Sequence, residues 1–356
     1  MFDPKGPLII PAGLAYHSVH IGVFLILGYI DPTSQPAPYN SHPSMPDAAQ
    51  TTLSARNLVR RYGQMEVIHG ISLQLQRGEV LGLLGHNGAG KSTTLQMLAG
   101  ALTPHAGQIE VCGHDLARQP MLARARIGFL AEVPPLYREM SVDSYLRFAA
   151  KLRRMPHDSV EAALLDTKLR CGLQDMGKKI IGTLSKGYQQ RVGIAQAIIH
   201  SPDVIILDEP TVGLDPSQIR DIRALIRALG DAHSVILSTH LLNEVESVCD
   251  RVEIMQQGRL IYGDSSTKMQ QYGHQHGFIV TLLAPPALTE LQALSGVLHV
   301  EQLSATRFRI LHAADSNPGS ALLALAAQHG WQAEQLVPLQ MRMEDAFVQI
   351  TQEQTT

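Results

Sequence analysis

Three unbroken apolar runs stand out along the chain: VLGLLG at residues 80–85, VIILD at 204–208 and SVILST at 234–239. Each has the length of a strand, and a strand without polar alternation is one buried on both faces. A glycine-rich turn and a helix-like stretch over residues 91–102 follow the first run. Between the other two, Ile219, Ile222, Leu225, Ile226 and Leu229 recur at helical spacing, with Arg220, Asp221, Arg223 and Arg227 among them. Strands alternating with helices predict a parallel sheet in an α/β core. Upstream, TLSARNLVRRY reads as a first strand; downstream, Gln257-Gly258 separates RVEIMQ from RLIYGD and predicts a hairpin. From about residue 271 the texture changes. GFIVTLLA, PALTELQALSG, VLHVEQLS and TRFRILHA predict β-α-β-β order, and SALLALAAQHG with EQLVPL adds a helix and a strand. Residues 271–356 are therefore expected to form a second, small α+β domain.

The first fifty residues follow a different pattern. Residues 8–30 contain no Lys, Arg, Asp or Glu, and a stretch of that length can span a bilayer, although Pro11, His17, Ser18 and His20 interrupt it. No small-residue cleavage site follows, which argues against a signal peptide. A Pro/Ser/Ala-rich stretch then reads as linker. Two readings stay open for residues 1–50: a membrane or partner-binding segment, or an extension ahead of a true start at Met45.

Composition narrows the class. Hydrophobic residues make up 45% and charged residues 17% of the 356, a globular balance, and the net charge of -3 carries no electrostatic footprint for DNA or RNA. Cys112, Cys171 and Cys249 are scattered and odd in number, which argues against a disulfide framework or a zinc site.

The turn after the first apolar run reads GHNGAGKS, from Gly85 to Ser92, and matches GxxxxGK[ST] between a strand and a helix. Gly85, Gly88 and Gly90 let the backbone wrap tightly round phosphate oxygens, and amide groups at the start of the helix face the anion. Lys91 is expected to reach the β- and γ-phosphates and Ser92 to bind Mg²⁺, with His86, Asn87, Ala89 and Thr93 completing the phosphate-binding run. VIILDEP ends its strand with Asp208, placed to hold the Mg²⁺ shell, and Glu209, placed to polarise the attacking water. His240 follows SVILST and is expected at the same sheet edge.

Two further strings complete a set. LSKGYQQRVGIAQAI begins at Leu184, and GLDP spans residues 213–216. Phosphate loop, LSxG-x-QQR, hhhhDE, GLDP and histidine, in this order, resemble the ATP-binding domain of ABC transporters over about residues 52–265. The resemblance implies a P-loop NTPase ABC ATPase domain over 51–270, with a helical subdomain at about 134–183 whose surface receives the transporter. It implies that Tyr62 stacks on adenine. Ser185 and Gly187, opening what reads as an amphipathic helix, would reach the γ-phosphate on a second subunit across a head-to-tail dimer, and Asp215 would lie in the loop joining the two sites. Where the family usually has a glutamine that binds Mg²⁺, this sequence has Glu132. That substitution, the LSKGY form and the tail LVPLQMRMEDAFVQIT are similar to the type-2 exporter branch.

The expected function is thus ATP hydrolysis by a homodimer or heterodimer of ATPase subunits, with ATP and Mg²⁺ as ligands. The dimer would drive a separate integral membrane permease from the cytoplasmic face of the membrane, with no nucleic-acid partner. A soluble ABC ATPase acting on nucleic acid or ribosomes is the alternative; those proteins usually carry two ATPase modules, a long coiled coil or a zinc insertion. A catalytically silent module is disfavoured by Lys91, Asp208, Glu209 and His240 occurring together.

Overall fold

The computed structural model describes residues 51–272, 276–313, 315–339 and 343–353. The hydrophobic segment and linker expected over residues 1–50 lie outside them. In chain order the first part contains β1 (Thr51–Tyr62), β2 (Met65–Gln76), β3 (Val80–Leu84), α1 (Lys91–Leu98), β4 (Ala106–Val111), β5 (His114–Asp115), α2 (Pro120–Ala125) and β6 (Ile127–Leu130). There follow α3 (Val142–Leu152), α4 (Val160–Cys171), α5 (Lys186–Ile198), β7 (Val204–Asp208), α6 (Pro216–Gly230), β8 (Ser234–Thr239), α7 (Leu242–Val248), β9 (Arg251–Gln256) and β10 (Arg259–Ser265). The described residues divide into two units on either side of Gly263 and Asp264.

In the first unit the three apolar runs lie side by side as β3, β8 and β7 in a six-stranded sheet of order β10-β9-β3-β8-β7-β6. Every residue of β3, β7 and β8 is buried, which explains why their sequences show no alternation. The β9-β3, β3-β8, β8-β7 and β7-β6 pairs are parallel. Parallel strands put their C-terminal ends, and the loops that follow, along one edge. The Gln257-Gly258 hairpin is present, with φ of 46° and 74°; positive φ at both central residues is what a tight two-residue turn needs. A second sheet, β2-β1-β4-β5, is antiparallel. Leu53, Leu58, Ile68, Leu75 and Ile109 from it share one core with Leu81, Leu83, Leu95, Leu98, Phe129, Ile206 and Ile236.

Two expectations about helices are corrected. The helix predicted over 91–102 stops at Leu98, because the amides of Ala101 and Leu102 both return to the Gln96 carbonyl and close its C-terminus. The helix opened by Ser185 is not amphipathic over its second half: Val192 through Ile199 are all buried. Its backbone lies tight on β6, with Gln196 Nε2 donating to the Phe129 carbonyl at 2.9 Å. The helical region is tied to the same strand by Arg153, which donates to the carbonyls of Arg124 (3.2 Å) and Ile127 (3.1 Å).

The second unit holds α8 (Ser266–Gln270), β11 (Gly277–Leu282), α9 (Leu288–Gln292), β12 (Val297–Gln302), β13 (Arg307–His312), α10 (Pro318–His329), β14 (Ala333–Pro338) and α11 (Met343–Glu353). Its sheet has order β12-β13-β11-β14, antiparallel throughout. Phe278, Val280, Phe308, Ile310, Leu322 and Trp331 make a core of its own. Among the described residues no helix is long and apolar enough to cross a membrane.

The contact of α5 with β6 depends on Gly128, where a Cβ would stand 2.1 Å from the Ala197 carbonyl oxygen. Gly128→Ala is expected to cost about 1–3 kcal/mol, the usual range for overpacking. The shift should appear as a lower urea midpoint at unchanged slope; an unchanged midpoint would show that α5 can move away freely.

Candidate active site

The turn between β3 and α1 is shaped by close approach. A Cβ on Gly85 would fall 2.4 Å from the Met255 carbonyl oxygen, so the loop lies directly against β9. Gly90 takes φ of 106° as it enters α1, a conformation only glycine adopts without strain. The turn is closed by Ala89 N–H donating to the His86 carbonyl at 3.1 Å and braced by Gly258 N–H donating to the Ala89 carbonyl at 2.8 Å. Helix α1 starts with no side-chain cap and no acidic residue in its first turn, which leaves its positive end available to an anion. Inside the turn, Lys91 is 5% exposed and its Nζ donates to the carbonyls of Gly85 (2.7 Å) and His86 (3.3 Å).

The carboxylates come from the next strands. Asp208, the last residue of β7, pairs in register with Ser238 of β8. The Ser238 hydroxyl donates to Asp208 Oδ1 at 2.6 Å and accepts from the Glu209 amide at 2.9 Å, so one buried hydroxyl orients both consecutive acids. Ser92 of α1 donates to the same Oδ1 at 3.1 Å. Burial pushes the Asp208 carboxyl above its ordinary value, Glu132 and Glu209 push it the same way, and the hydrogen bonds from Ser238 and Ser92 oppose them. Glu209 sits at φ of 45° and is 8% exposed. Such a backbone in a residue with a side chain is strained, and strain of this kind collects at functional sites. Both Glu209 oxygens are engaged: Oε1 lies 3.3 Å from Lys91 Nζ and Oε2 lies 2.9 Å from His240 Nδ1.

Lys91, Ser92, Glu209 and His240 face one cleft of about 430 Å³, lined also by Val67, Asn87, Gly88, Gly90, Thr93, Glu132 and Val212. Gly85, His86 and Ala89 form the body of the turn behind it. Asp208 does not line it and meets it through its bond to Ser92, and Tyr62, Ser185 and Gly187 do not line it either. Tyr62 closes β1, 49% exposed, with the Arg60 guanidinium 5.0 Å from its ring centre. Ser185 caps α5 by accepting from the Tyr188 amide, and Gly187 packs where a Cβ would strike the Gln218 side chain. Sequence reasoning passed over Ser238, Val67 and Val212. For Ser238 the signal was there: a small hydroxyl at the end of an otherwise apolar buried strand.

The donor chemistry fits a polyanion held with a hard cation. A hydroxyl and a carboxylate oxygen 3.1 Å apart, with Glu132 on the same cleft, suit Mg²⁺. No group of three or more His, Cys, Asp or Glu side chains among the described residues could hold a metal alone. Mg²⁺ is commonly bound by one or two carboxylates together with substrate phosphates.

Fold and cleft together define a phosphate-loop nucleotide hydrolase. Residues 68–212 match the ABC transporter family. The linearmycin resistance ATP-binding protein LnrL of Bacillus subtilis (strain 168) is 31% identical over 306 residues, covering 84% of this chain and 98% of that protein. The bacitracin transport ATP-binding protein BcrA of Bacillus licheniformis is 36% identical over 213 residues, 59% of this chain and 69% of the relative. Among solved structures, cbiO1 from Clostridium perfringens, described as part of the ABC transporter complex cbiONQ, is similar with a TM-score of 0.56 and 31% identity over 61% of this chain and 90% of that one. The chain belongs to the family of ABC transporter ATP-binding proteins, and it is an ATPase.

The raised Asp208 carboxyl has a consequence for stability. The folded chain holds that proton to higher pH than the unfolded chain, so stability falls as pH rises through the interval, and above it the ionised form is a standing cost. Asp208→Asn keeps the shape and removes the charge. At pH 7 it is expected to raise the unfolding midpoint of the nucleotide-free protein while abolishing stabilisation by MgATP. Differential scanning calorimetry with and without nucleotide checks both; a lower midpoint without nucleotide would mean that Asp208 carries no net cost in place.

Proposed function

We propose that this chain hydrolyses MgATP in the cleft as one of two ATPase subunits that close around two nucleotides and drive a separate membrane permease in export. The observation that carries the reading is the meeting of Lys91, Ser92, Glu132, Glu209 and His240 on one cleft, with Asp208 hydrogen-bonded to Ser92 at its edge. The export direction is supported by relatives named for antibiotic resistance and transport, one of them aligned over 98% of its length. A permease on another polypeptide is supported by a similar structure that is part of a transporter complex.

Roles follow from chemistry. The amides of the loop over residues 85–92 and the Lys91 ammonium bind the phosphate chain of ATP, and the exposed Tyr62 ring at the end of β1 offers a face to adenine. Ser92 and Asp208 would hold Mg²⁺, with Glu132 beside them; when bound, it supplies positive charge against the phosphoryl oxygens. Glu209 accepts a hydrogen bond from the attacking water. The water oxygen bonds to the γ-phosphorus as one of its protons passes to Glu209 and on to solvent, the bond from that phosphorus to the bridging oxygen breaks, and ADP leaves with the electron pair. His240, held at Glu209 Oε2, fixes the carboxylate for that task. Ser185 and Gly187, outside their own cleft, would serve the second subunit's nucleotide, which makes a single chain a poor ATPase.

Glu209→Gln keeps the shape but loses the charge that polarises water. Retained MgATP binding, a trapped dimer and turnover lower by about 10²–10⁴-fold are expected; turnover at the parent rate would remove Glu209 from this role. Purification of the full-length chain from membranes in mild detergent is expected to bring down a multi-span protein in stoichiometric amount. Recovery of ribosomes or nucleic acid with no membrane protein would sink the transporter reading and leave the ATPase chemistry standing.

A further inference from the structure

The parallel ladder between β7 and β8 ends at the Asp208–Ser238 pair. Glu209 and His240 both lie beyond it, on loops that backbone pairing no longer holds. Past the ladder a second bridge joins the two loops away from the cleft. Thr211, buried in the β7 loop, donates its hydroxyl to Oε1 of Glu244 in the first turn of α7. Glu244 is 1% exposed, and its other oxygen has no hydrogen-bond partner. Arg223 of α6 stands 3.9 Å from the bridged oxygen, while its guanidinium donates to Asn243 at 2.9 Å. A carboxylate buried this deeply with one strong donor is a cost to the fold rather than a support. It is not among the residues that line the 430 Å³ cleft.

We propose that Thr211 and Glu244 are a positioning pair that sets the distance between the Glu209 loop and the His240 loop, a role that rests on Glu209 orienting the attacking water. The backbone makes the transmission short. Val212 N–H donates to the Glu209 carbonyl at 3.2 Å, so Thr211 lies inside the turn that Glu209 opens. On the other side, Glu244 N–H donates to the Leu241 carbonyl at 3.0 Å, and Leu241 N–H donates to Thr239 Oγ1 at 3.0 Å, a tight wrap around His240. Pulling Glu244 toward Thr211 thus sets where His240 meets Glu209. Through Arg223 the same carboxylate also meets α6, whose N-cap is Asp215. Displacing a loop by a fraction of an ångström leaves phosphate binding by Lys91 intact and misaligns the water, so the pair acts on turnover and not on affinity.

The test is the Thr211→Val/Glu244→Met double variant of the full chain, since replacing both partners with apolar groups of similar shape is close to neutral for stability. Steady-state ATP turnover, MgATP affinity and the thermal midpoint are measured together. A loss of about ten- to a hundredfold in turnover, with affinity and midpoint near the parent values, is expected. Thr211→Ser and Glu244→Gln keep a donor and an acceptor and should retain most of the activity. Parent-like turnover in the folded double variant overturns the pairing, and so does a fall in affinity parallel to the fall in turnover. If the double variant fails to fold, Glu244→Gln against Glu244→Met decides on the same readouts, equal turnover in the two overturning the role. Glu209→Gln is run alongside: if it keeps turnover, the reading of Glu209 itself has failed, whereas loss there with no loss in the double variant sinks the positioning pair alone.

Discussion

A lysine ammonium enclosed at the end of a parallel strand is the constraint on which the rest of this structure depends. Lys91 has lost nearly all contact with water, and desolvation of a charge is tolerable only if the surroundings replace its hydration shell. Two carbonyls of its own loop and one Glu209 oxygen do so. That solution works only if the loop is tight enough for its carbonyls to turn inward, which requires glycine where the backbone meets β9 and where it enters α1. It also requires a carboxylate delivered from a neighbouring strand. The parallel sheet supplies it, because β3, β7 and β8 all end on the same edge.

The cost of the arrangement is confined to that edge. Asp208 is buried against its own ionisation, Glu209 holds a left-handed backbone, and Glu132 brings further negative charge to the same cleft. Beneath it lie three fully buried strands and a shared core rich in leucine and isoleucine. A ligand that brings phosphate oxygens to Lys91 and positive charge to Asp208 relieves several of these costs at once. Binding energy is thereby available for ordering the loops that carry Glu209 and His240, which is how a static cleft becomes coupled to movement.

Much of the cleft was legible because each part is a contiguous string anchored to a buried strand. The glycine-rich turn, the acids after VIILD and the histidine after SVILST could be placed from local pattern alone, and the parallel sheet brings Ser92 against Asp208 and both Lys91 and His240 against Glu209. What stayed hidden is what only pairing reveals. Ser238 matters because register sets it opposite Asp208, and Glu244 because α7 turns it back toward Thr211; neither relation has a signature in spacing. The helix after Ser185 misled for a related reason. Its apolar residues suggested one buried stripe, but α3, α4 and β6 cover it on several sides, so its small residues record enclosure rather than an exposed face.

That enclosure bears on how two chains would share the chemistry. At the start of α5 Ser185 and Lys186 are exposed, and Gly187 is already packed on Gln218 of α6. The helix is therefore held rigidly at its buried end and against α6, and Arg191 pins it further to Asp221 at 2.8 Å. None of the residues of α5 lines its own cleft. In the proposed dimer it is this exposed start, not the buried remainder of the helix, that would meet a γ-phosphate.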